Sequence, residues 1–134
     1  MIIIEIHSAP VPQKQTRFIA RRGYCRGIDP SKNEKQQIQW QIRPYAPKEA
    51  LEGPIQLDLT FFMPIPKGTS KIKARQMANQ ICHHISRPDL DNLSYLIVNA
   101  MKGIIYQDDS QIVDLLLHKR YADEPKTVIK VMPL

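Results

Sequence analysis

The sequence predicts an α+β fold in which helices pack on one side of a mainly antiparallel sheet. The first observation is the order of the predicted elements: strand, loop, helix, strand, helix, helix, strand, strand. The second is the alternation of apolar and polar residues over 55–63, which is typical of a strand with one buried face. The third is composition, because 134 residues with 43% hydrophobic and 24% charged fit a single domain, residues 1–134.

The N-terminal part contains one predicted strand, one basic segment and one helix. Residues 1–7 are rich in isoleucine, which favours a strand. Residues 13–26 combine cations with turn glycines, so a basic hairpin or a flexible loop fits them better than a helix. A helix is expected next, with Ser31 as its N-cap and Glu34 completing a capping box. Trp40 in this helix is expected to lie in the core or in a dimer contact rather than to stack on a base.

The middle of the chain contains the strand of residues 55–63 and two helices. A basic helix follows the strand and runs through Asn79, with Thr69 or Ser70 as its cap. A second, amphipathic helix is expected from about 91 to 102. Five apolar residues recur there at the spacing of a single helix face: Leu93, Leu96, Ile97, Ala100 and Met101.

The C-terminal part is expected to form a hairpin. Residues 112–121 are largely apolar on both faces in their first half, which predicts a strand internal to the sheet. A turn at Asp123-Glu124-Pro125 would return the chain along residues 127–132, which are predicted to form the final strand.

Two acidic pairs flank the amphipathic helix, Asp89 with Asp91 and Asp108 with Asp109. A return path through Gly103 is expected to bring the second pair back toward the first. Four crowded carboxylates repel one another unless a cation binds them, and Mg²⁺ prefers carboxylate oxygens. Each pair alone has a simpler explanation. Asp91 could serve only as an N-cap, and Asp108-Asp109-Ser110 could be only a polar turn before a strand. Together, in a chain with a net charge of +6, they favour a metal site.

The chain resembles the RusA-type Holliday junction resolvases, small Mg²⁺-dependent endonucleases often carried by phages and prophages. The resemblance rests mainly on Asp89-Leu-Asp-Asn-Leu, the short helix, and Tyr106-Gln-Asp-Asp-Ser-Gln. It extends to the segments that begin at Pro10, Phe61 and Lys119, and so covers nearly the whole chain. It implies a RusA-like fold and a homodimer that cuts four-way DNA junctions in recombination and repair.

The resemblance also implies roles for particular residues. Asp89, Asp91 and Asp109 would bind Mg²⁺, with Asp108 in support. Relatives carry a catalytic lysine where this chain has Tyr95, and commonly an aspartate where it has Asn99. Both positions share a helix face with Asp91, so they are expected to face the site. These differences imply slower turnover, or a lysine supplied from elsewhere, such as Lys119.

Charge is divided unevenly along the chain. Residues 1–87 contain fourteen Lys and Arg against six Asp and Glu, whereas residues 88–134 contain five against seven. A polyanion could therefore be held by the first part and cut at the second, although excess lysine can also serve solubility alone. The cations expected to contact DNA are Lys14, Arg17, Arg21, Arg22, Lys67, Lys71, Lys73 and Arg87.

Two other functions remain open, a less selective flap or fork nuclease and a branched-DNA-binding protein with weakened or lost catalysis. The second is motivated by Tyr95 and Asn99, while the four aspartates argue against it. No apolar run approaches the roughly 20 residues that span a bilayer, so no membrane association is expected. Two cysteines, Cys25 and Cys82, fit no metal spacing and suggest reduced thiols in a cytoplasm.

Overall fold

The computed structural model describes all 134 residues, which form six strands and three helices. The main sheet has the strand order β1-β6-β4-β5, and β2 pairs only with β3. Two of its three strand pairs are antiparallel and one, β4 with β5, is parallel. The predicted α+β fold with a mainly antiparallel sheet is confirmed. The elements are β1 (Ile2–Ile6), β2 (Arg17–Arg21), β3 (Tyr24–Ile28), α1 (Lys32–Ile42), β4 (Ile55–Pro64), α2 (Lys71–Ala78), α3 (Leu90–Met101), β5 (Ile112–Ala122) and β6 (Lys126–Pro133).

The core lies on the face of β4 that the alternation predicts. Its five inward side chains, from Ile55 to Met63, are all buried, whereas those between them are half-buried. Helix α3 contributes the predicted apolar face, and α1 adds Ile38 and Ile42. Burying a large apolar side chain contributes about 1.5–3 kcal/mol, so this shared core orients α3 and the residues at both of its ends.

The predicted hairpin between the last two strands is wrong, because β4 lies between β5 and β6. The link of residues 123–125 instead crosses the end of β4, a span of about 10 Å at two strand spacings. A short link can join neighbouring strands or cross one strand, and sequence does not distinguish the two. Consequently β5 is an edge strand rather than an internal one, and its apolar residues Val113, Leu115 and Leu116 are exposed.

The predicted helix starts are confirmed in part. The hydroxyl of Ser70 accepts a hydrogen bond from the Lys73 N–H at 3.3 Å and caps α2. The capping box at Ser31 is wrong, because the buried Ser31 hydroxyl accepts from the Lys14 N–H at 2.7 Å instead. The Asp29 carboxylate accepts from the Ser31 N–H at 2.9 Å and from the Gln13 side chain at 2.8 Å. These bonds attach the N-terminal segment to the start of α1.

The β2–β3 pair and Trp40 are exposed and lie outside the core. The strands β2 and β3 form the basic hairpin that the sequence allows, and every residue in both strands is exposed. Trp40 is also exposed, at 74%, so its expected place in the core is wrong and a dimer contact remains a prediction. None of the three helices has the length and apolar character needed to cross a membrane.

Candidate functional site

The first acidic pair lies at the N-terminal end of α3. Asp89 occupies the N-cap position with extended backbone, and its carboxylate makes no capping hydrogen bond. Asp91 lies in the first turn, where its carboxylate accepts from the Asn92 N–H at 2.9 Å. Both side chains are exposed, and no cation of the chain pairs with either. The positive end of the helix dipole favours negative charge here.

A cleft of about 600 Å³ opens beside Asp89. Its walls include Lys14, Arg87 and Asn92. The Gln13 N–H donates to the Asn92 carbonyl at 3.0 Å, so the base of the β2–β3 hairpin is joined directly to α3. Cationic side chains and a carboxylate therefore share one open cleft, where a phosphate and a divalent cation could bind together.

Lys119 reaches this region from β5. Its Nζ atom donates to the carbonyls of Ser86 and Pro88, at 3.0 Å each, and so contacts the residue that precedes Asp89. Tyr95 is 59% exposed one helical turn after Asp91, and Asn99 is half-buried one turn further on. The lysine expected to replace the missing helical one is thus next to the acidic pair, held by backbone oxygens.

The second acidic pair lies at the C-terminal end of α3. Asp108 accepts from Lys102 at 2.8 Å and from the Ser110 N–H at 3.1 Å. The Lys102 ammonium, together with these hydrogen bonds, holds the pKa of Asp108 well below its usual range. The Asp108 N–H in turn donates to the Gln111 side chain at 2.8 Å, which completes a capping box around a short 3₁₀ turn. Asp108 is therefore a structural cap in this chain.

Within the second pair, Asp109 makes fewer polar contacts than Asp108. It is exposed, and its carboxylate lies 3.8 Å from the Lys102 ammonium, too far for a direct hydrogen bond. The turn that carries it is fixed by Gly103, with φ of +79°, and by buried Tyr106, whose hydroxyl donates to the Val98 carbonyl at 2.6 Å. Burial raises the pKa of Tyr106 above its usual value, so this hydroxyl keeps its proton.

The two pairs do not meet within one chain. Helix α3 has twelve residues and is therefore about 18 Å long, and the Gly103 turn keeps Asp108 at its far end. No group of three or more Asp, Glu, His or Cys side chains is close enough to hold a metal ion. The expectation that all four carboxylates crowd one spot in a single chain is wrong, because Asp108 and Asp109 lie in the turn beside Lys102, before β5 returns toward the start of the helix.

The pairing of Lys102 with Asp108 was not predicted from the sequence. Lys102 is the C-cap of α3, and a cation at the C-terminal end of a helix is a common complement to the helix dipole, so this signal could have indicated it. Nor was the role of Gln111 predicted, whose side-chain amide donates to the carbonyls of Leu51 and Gly53 at 2.9 Å each. Both residues fix the second acidic pair at its present position.

The cations expected to bind DNA are exposed and mostly unpaired. Arg17, Arg21 and Arg22 on the hairpin have no acidic partner, whereas Lys14 pairs with Glu34 at 3.0 Å. Around α2, three of the cations expected to bind DNA are also exposed and unpaired: Lys67, Lys71 and Lys73. Arg87 lines the cleft beside Asp89. Most of the positive charge is therefore available to an external anion.

Residues 8–132 match the family model described as Endodeoxyribonuclease RusA. The chain belongs to the RusA endodeoxyribonuclease family. The match includes both acidic pairs, the hairpin and most of the main sheet, so the predicted resemblance is confirmed. RusA membership supports nuclease activity on DNA and is consistent with the exposed carboxylates and cations of the cleft.

A relative in Bacillus subtilis (strain 168), described as Uncharacterized protein YqaN, is 30% identical over 130 residues. The aligned region covers 94% of this chain and 92% of that protein. The similarity therefore extends over nearly the full length of both chains.

Proposed function

We propose that this RusA-family protein is an Mg²⁺-dependent endonuclease that resolves four-way DNA junctions by paired cuts, in DNA recombination and repair. The observation that carries the proposal is the pair of exposed carboxylates, Asp89 and Asp91, which no cation of the chain neutralises. Asp89 lines a cleft together with Lys14 and Arg87. The free thiols of Cys25 and Cys82 fit a reducing cytoplasm as its location.

The donor set fits a hard divalent cation. One or two carboxylates, retained waters and substrate phosphate oxygens are the usual ligands of Mg²⁺, and Asp89 and Asp91 offer the carboxylates. When bound, the ion supplies a water of lowered pKa and offsets charge that develops on the phosphate. Lys14 and Arg87 would hold the neighbouring phosphates, and Tyr95 could offer an uncharged hydrogen bond. Lys119 would position Asp89 through its contact with the Pro88 carbonyl.

The third proposed metal ligand, Asp109, would come from a second copy of the chain. It lies at the opposite end of α3 from the other two, about 18 Å away, and cannot reach them in its own chain. A symmetric homodimer would contain two equivalent sites, each with Asp89 and Asp91 from one chain and Asp109 from the other. Two sites related by a two-fold axis suit two matched nicks in a four-way junction.

The function is tested by incubating a labelled synthetic four-way junction with the protein in Mg²⁺ or in EDTA. We expect two nicks at symmetric positions in opposed strands with Mg²⁺ and none with EDTA. Preferred cleavage of flaps or forks would indicate the less selective nuclease. Tight junction binding without cleavage in any divalent cation would overturn the nuclease proposal and favour a binding protein, as the tyrosine at position 95 could suggest.

The β2–β3 hairpin is expected to supply much of the affinity for DNA. Replacing Arg17, Arg21 and Arg22 together by alanine removes three exposed charges that no acid neutralises. Each phosphate contact contributes about 0.7–0.9 to the salt slope of log K, so the variant should lose about two units of slope or more. Fluorescence anisotropy over a range of KCl measures the slope. A control variant with alanine at Lys32, Arg43 and Lys48, three exposed cations outside the hairpin, should keep it; equal losses in both variants would contradict a specific role.

A further inference from the structure

A second depression, the side pocket, lies beside the cleft that Asp89 lines. It has a volume of about 460 Å³, within the range of about 300–1,000 Å³ that is usual for ligand pockets. Its lining residues are Gln13, Lys14, Gln15, Thr16, Asn92 and Tyr95. Four of these six, all except Thr16 and Tyr95, also line the cleft. The two depressions therefore meet along the segment that leads into the β2–β3 hairpin.

The wall shared by the two depressions is fixed by hydrogen bonds. The Gln13 N–H donates to the Asn92 carbonyl at 3.0 Å, and the Gln13 side chain donates to the Asp29 carboxylate at 2.8 Å. The Lys14 N–H donates to the buried Ser31 hydroxyl at 2.7 Å. The side pocket is thus formed between elements that are already attached to one another, which lowers the cost of ordering it around a ligand.

The two depressions differ in charge. The cleft contains one carboxylate and two cations, at Asp89, Lys14 and Arg87. The side pocket shares Lys14 and has no other charged residue. A nucleotide has the same division, because a charged phosphate is joined through its sugar to a neutral, flat base. A phosphate in the cleft would therefore leave its base within reach of the side pocket.

The uncharged groups of the side pocket are of the kinds that bind bases. Tyr95 is 59% exposed, one helical turn or about 6 Å after Asp91, and an aromatic face can stack on any base. The side-chain amides of Gln15 and Asn92 are exposed and make no hydrogen bond within the chain. Each amide offers a donor and an acceptor side by side, which is the pattern that pairs with a base edge.

We propose that the side pocket binds one unstacked nucleobase of the junction, with the base stacked on Tyr95 and paired with the amide of Gln15 or Asn92. The inference rests on the proposed junction-cleaving function and adds the recognition of a base next to the cut. Base stacking is already interrupted at the branch point of a junction, so removing a base from the stack costs least there.

The other exposed aromatic with a depression beside it fits this role less well. Trp40 is 74% exposed, and the depression beside it is lined by Gln36, Gln39 and Arg43 as well. That depression contains no carboxylate and shares no residue with the cleft. Of the two, only the ring of Tyr95 lies where a base could be held while its phosphate is in the cleft.

The binding of junctions that lack particular bases tests the inference. Four-way junctions with abasic sites at symmetric positions around the branch point are titrated with the wild type and with Tyr95→Ala, and anisotropy in EDTA gives the dissociation constants. On the complete junction we expect Tyr95→Ala to bind about 10-fold more weakly, because the stacking of a base is lost. This difference should disappear at one abasic position and persist at the others, because at that position the pocket has no base left to bind.

Two further variants separate stacking from other roles of the tyrosine. Tyr95→Phe keeps the ring and should bind as the wild type does. Tyr45→Ala removes a tyrosine that is 41% exposed outside the site and should also bind as the wild type does. A loss in Tyr95→Phe as large as that in Tyr95→Ala would assign the effect to the hydroxyl and overturn the inference. So would a Tyr95→Ala variant that binds like the wild type, or one whose loss is the same on every abasic junction.

The outcomes also separate the side pocket from the proposed function. Binding in EDTA requires no cleavage, so a loss in Tyr95→Ala that depends on one base, in a protein that cuts no junction, would refute the nuclease alone. Paired cuts by a wild type whose Tyr95→Ala variant shows no dependence on any base would refute the side pocket alone.

Discussion

Replacing Asp91 by asparagine is expected to slow junction cleavage by about 100- to 1,000-fold, the usual effect of losing one preorganised electrostatic group. The side chain is exposed and bonds only to the Asn92 N–H, so an amide of the same shape should leave the fold intact. Binding of the junction without metal should be unchanged or slightly tighter, because one repelling charge is removed. Single-turnover cleavage with Mg²⁺ and anisotropy in EDTA measure the two quantities.

The control for this substitution is Asp123→Asn, an exposed aspartate in the turn between β5 and β6. It changes the net charge by the same amount and should cleave at the wild-type rate. If the Asp91 variant kept full activity, the acidic pair at the start of α3 would not be the catalytic centre. If both variants lost activity equally, overall charge rather than a metal site would explain the effect.

The second large effect is expected from mixing two inactive variants. Asp91→Asn and Asp109→Asn homodimers each lack one carboxylate in both proposed sites, so neither should cleave. In a mixed dimer, the Asp91→Asn chain supplies an intact Asp109, and its partner supplies intact Asp89 and Asp91, so one of the two sites is complete. Coexpressed chains that pair at random should therefore recover about a quarter of the wild-type sites. The mixed dimers should make single nicks rather than paired ones.

A mixture of Asp89→Asn and Asp91→Asn is the matched control. Both substitutions lie at the same end of α3, so every mixed dimer has a defect in each site and should stay inactive. No recovery in the first mixture would contradict a site shared between two chains. Recovery in both mixtures would mean that Asp89 and Asp91 themselves act in different sites.

Sequence identified the elements with strong periodicity and missed how they are arranged. The alternation over residues 55–63 predicted β4, and the apolar spacing predicted α3 to within one residue at each end, because burial on one face imposes both patterns. The order of strands in the sheet leaves no such local pattern. That is why the sequence predicts a hairpin at a three-residue link that crosses the end of β4.

The candidate site could likewise be predicted only in part from the sequence. The acidic residues could be found from their types and their spacing around a helix, and the family resemblance followed from them. The distances between these residues could not be predicted, because the path of the chain after Gly103 depends on the buried Tyr106. It also depends on the hydrogen bonds from the Gln111 side chain to the segment just before β4. The prediction of a capping box at Ser31 is wrong for a similar reason, since the backbone N–H of Lys14, seventeen residues earlier, donates to the Ser31 hydroxyl.

The position of β6 determines when the protein can fold as it is synthesised. Strand β6 joins β1 to β4, so residues 2–6 must wait for residues 127–131, which the ribosome adds much later. Such long-range pairing is slow and leaves strand edges uncovered in the nascent chain. Until residues 126–133 emerge, β1 and β4 are ready substrates for chaperones. Chains that terminate before β6 are therefore expected to be degraded by proteases rather than to retain part of the activity.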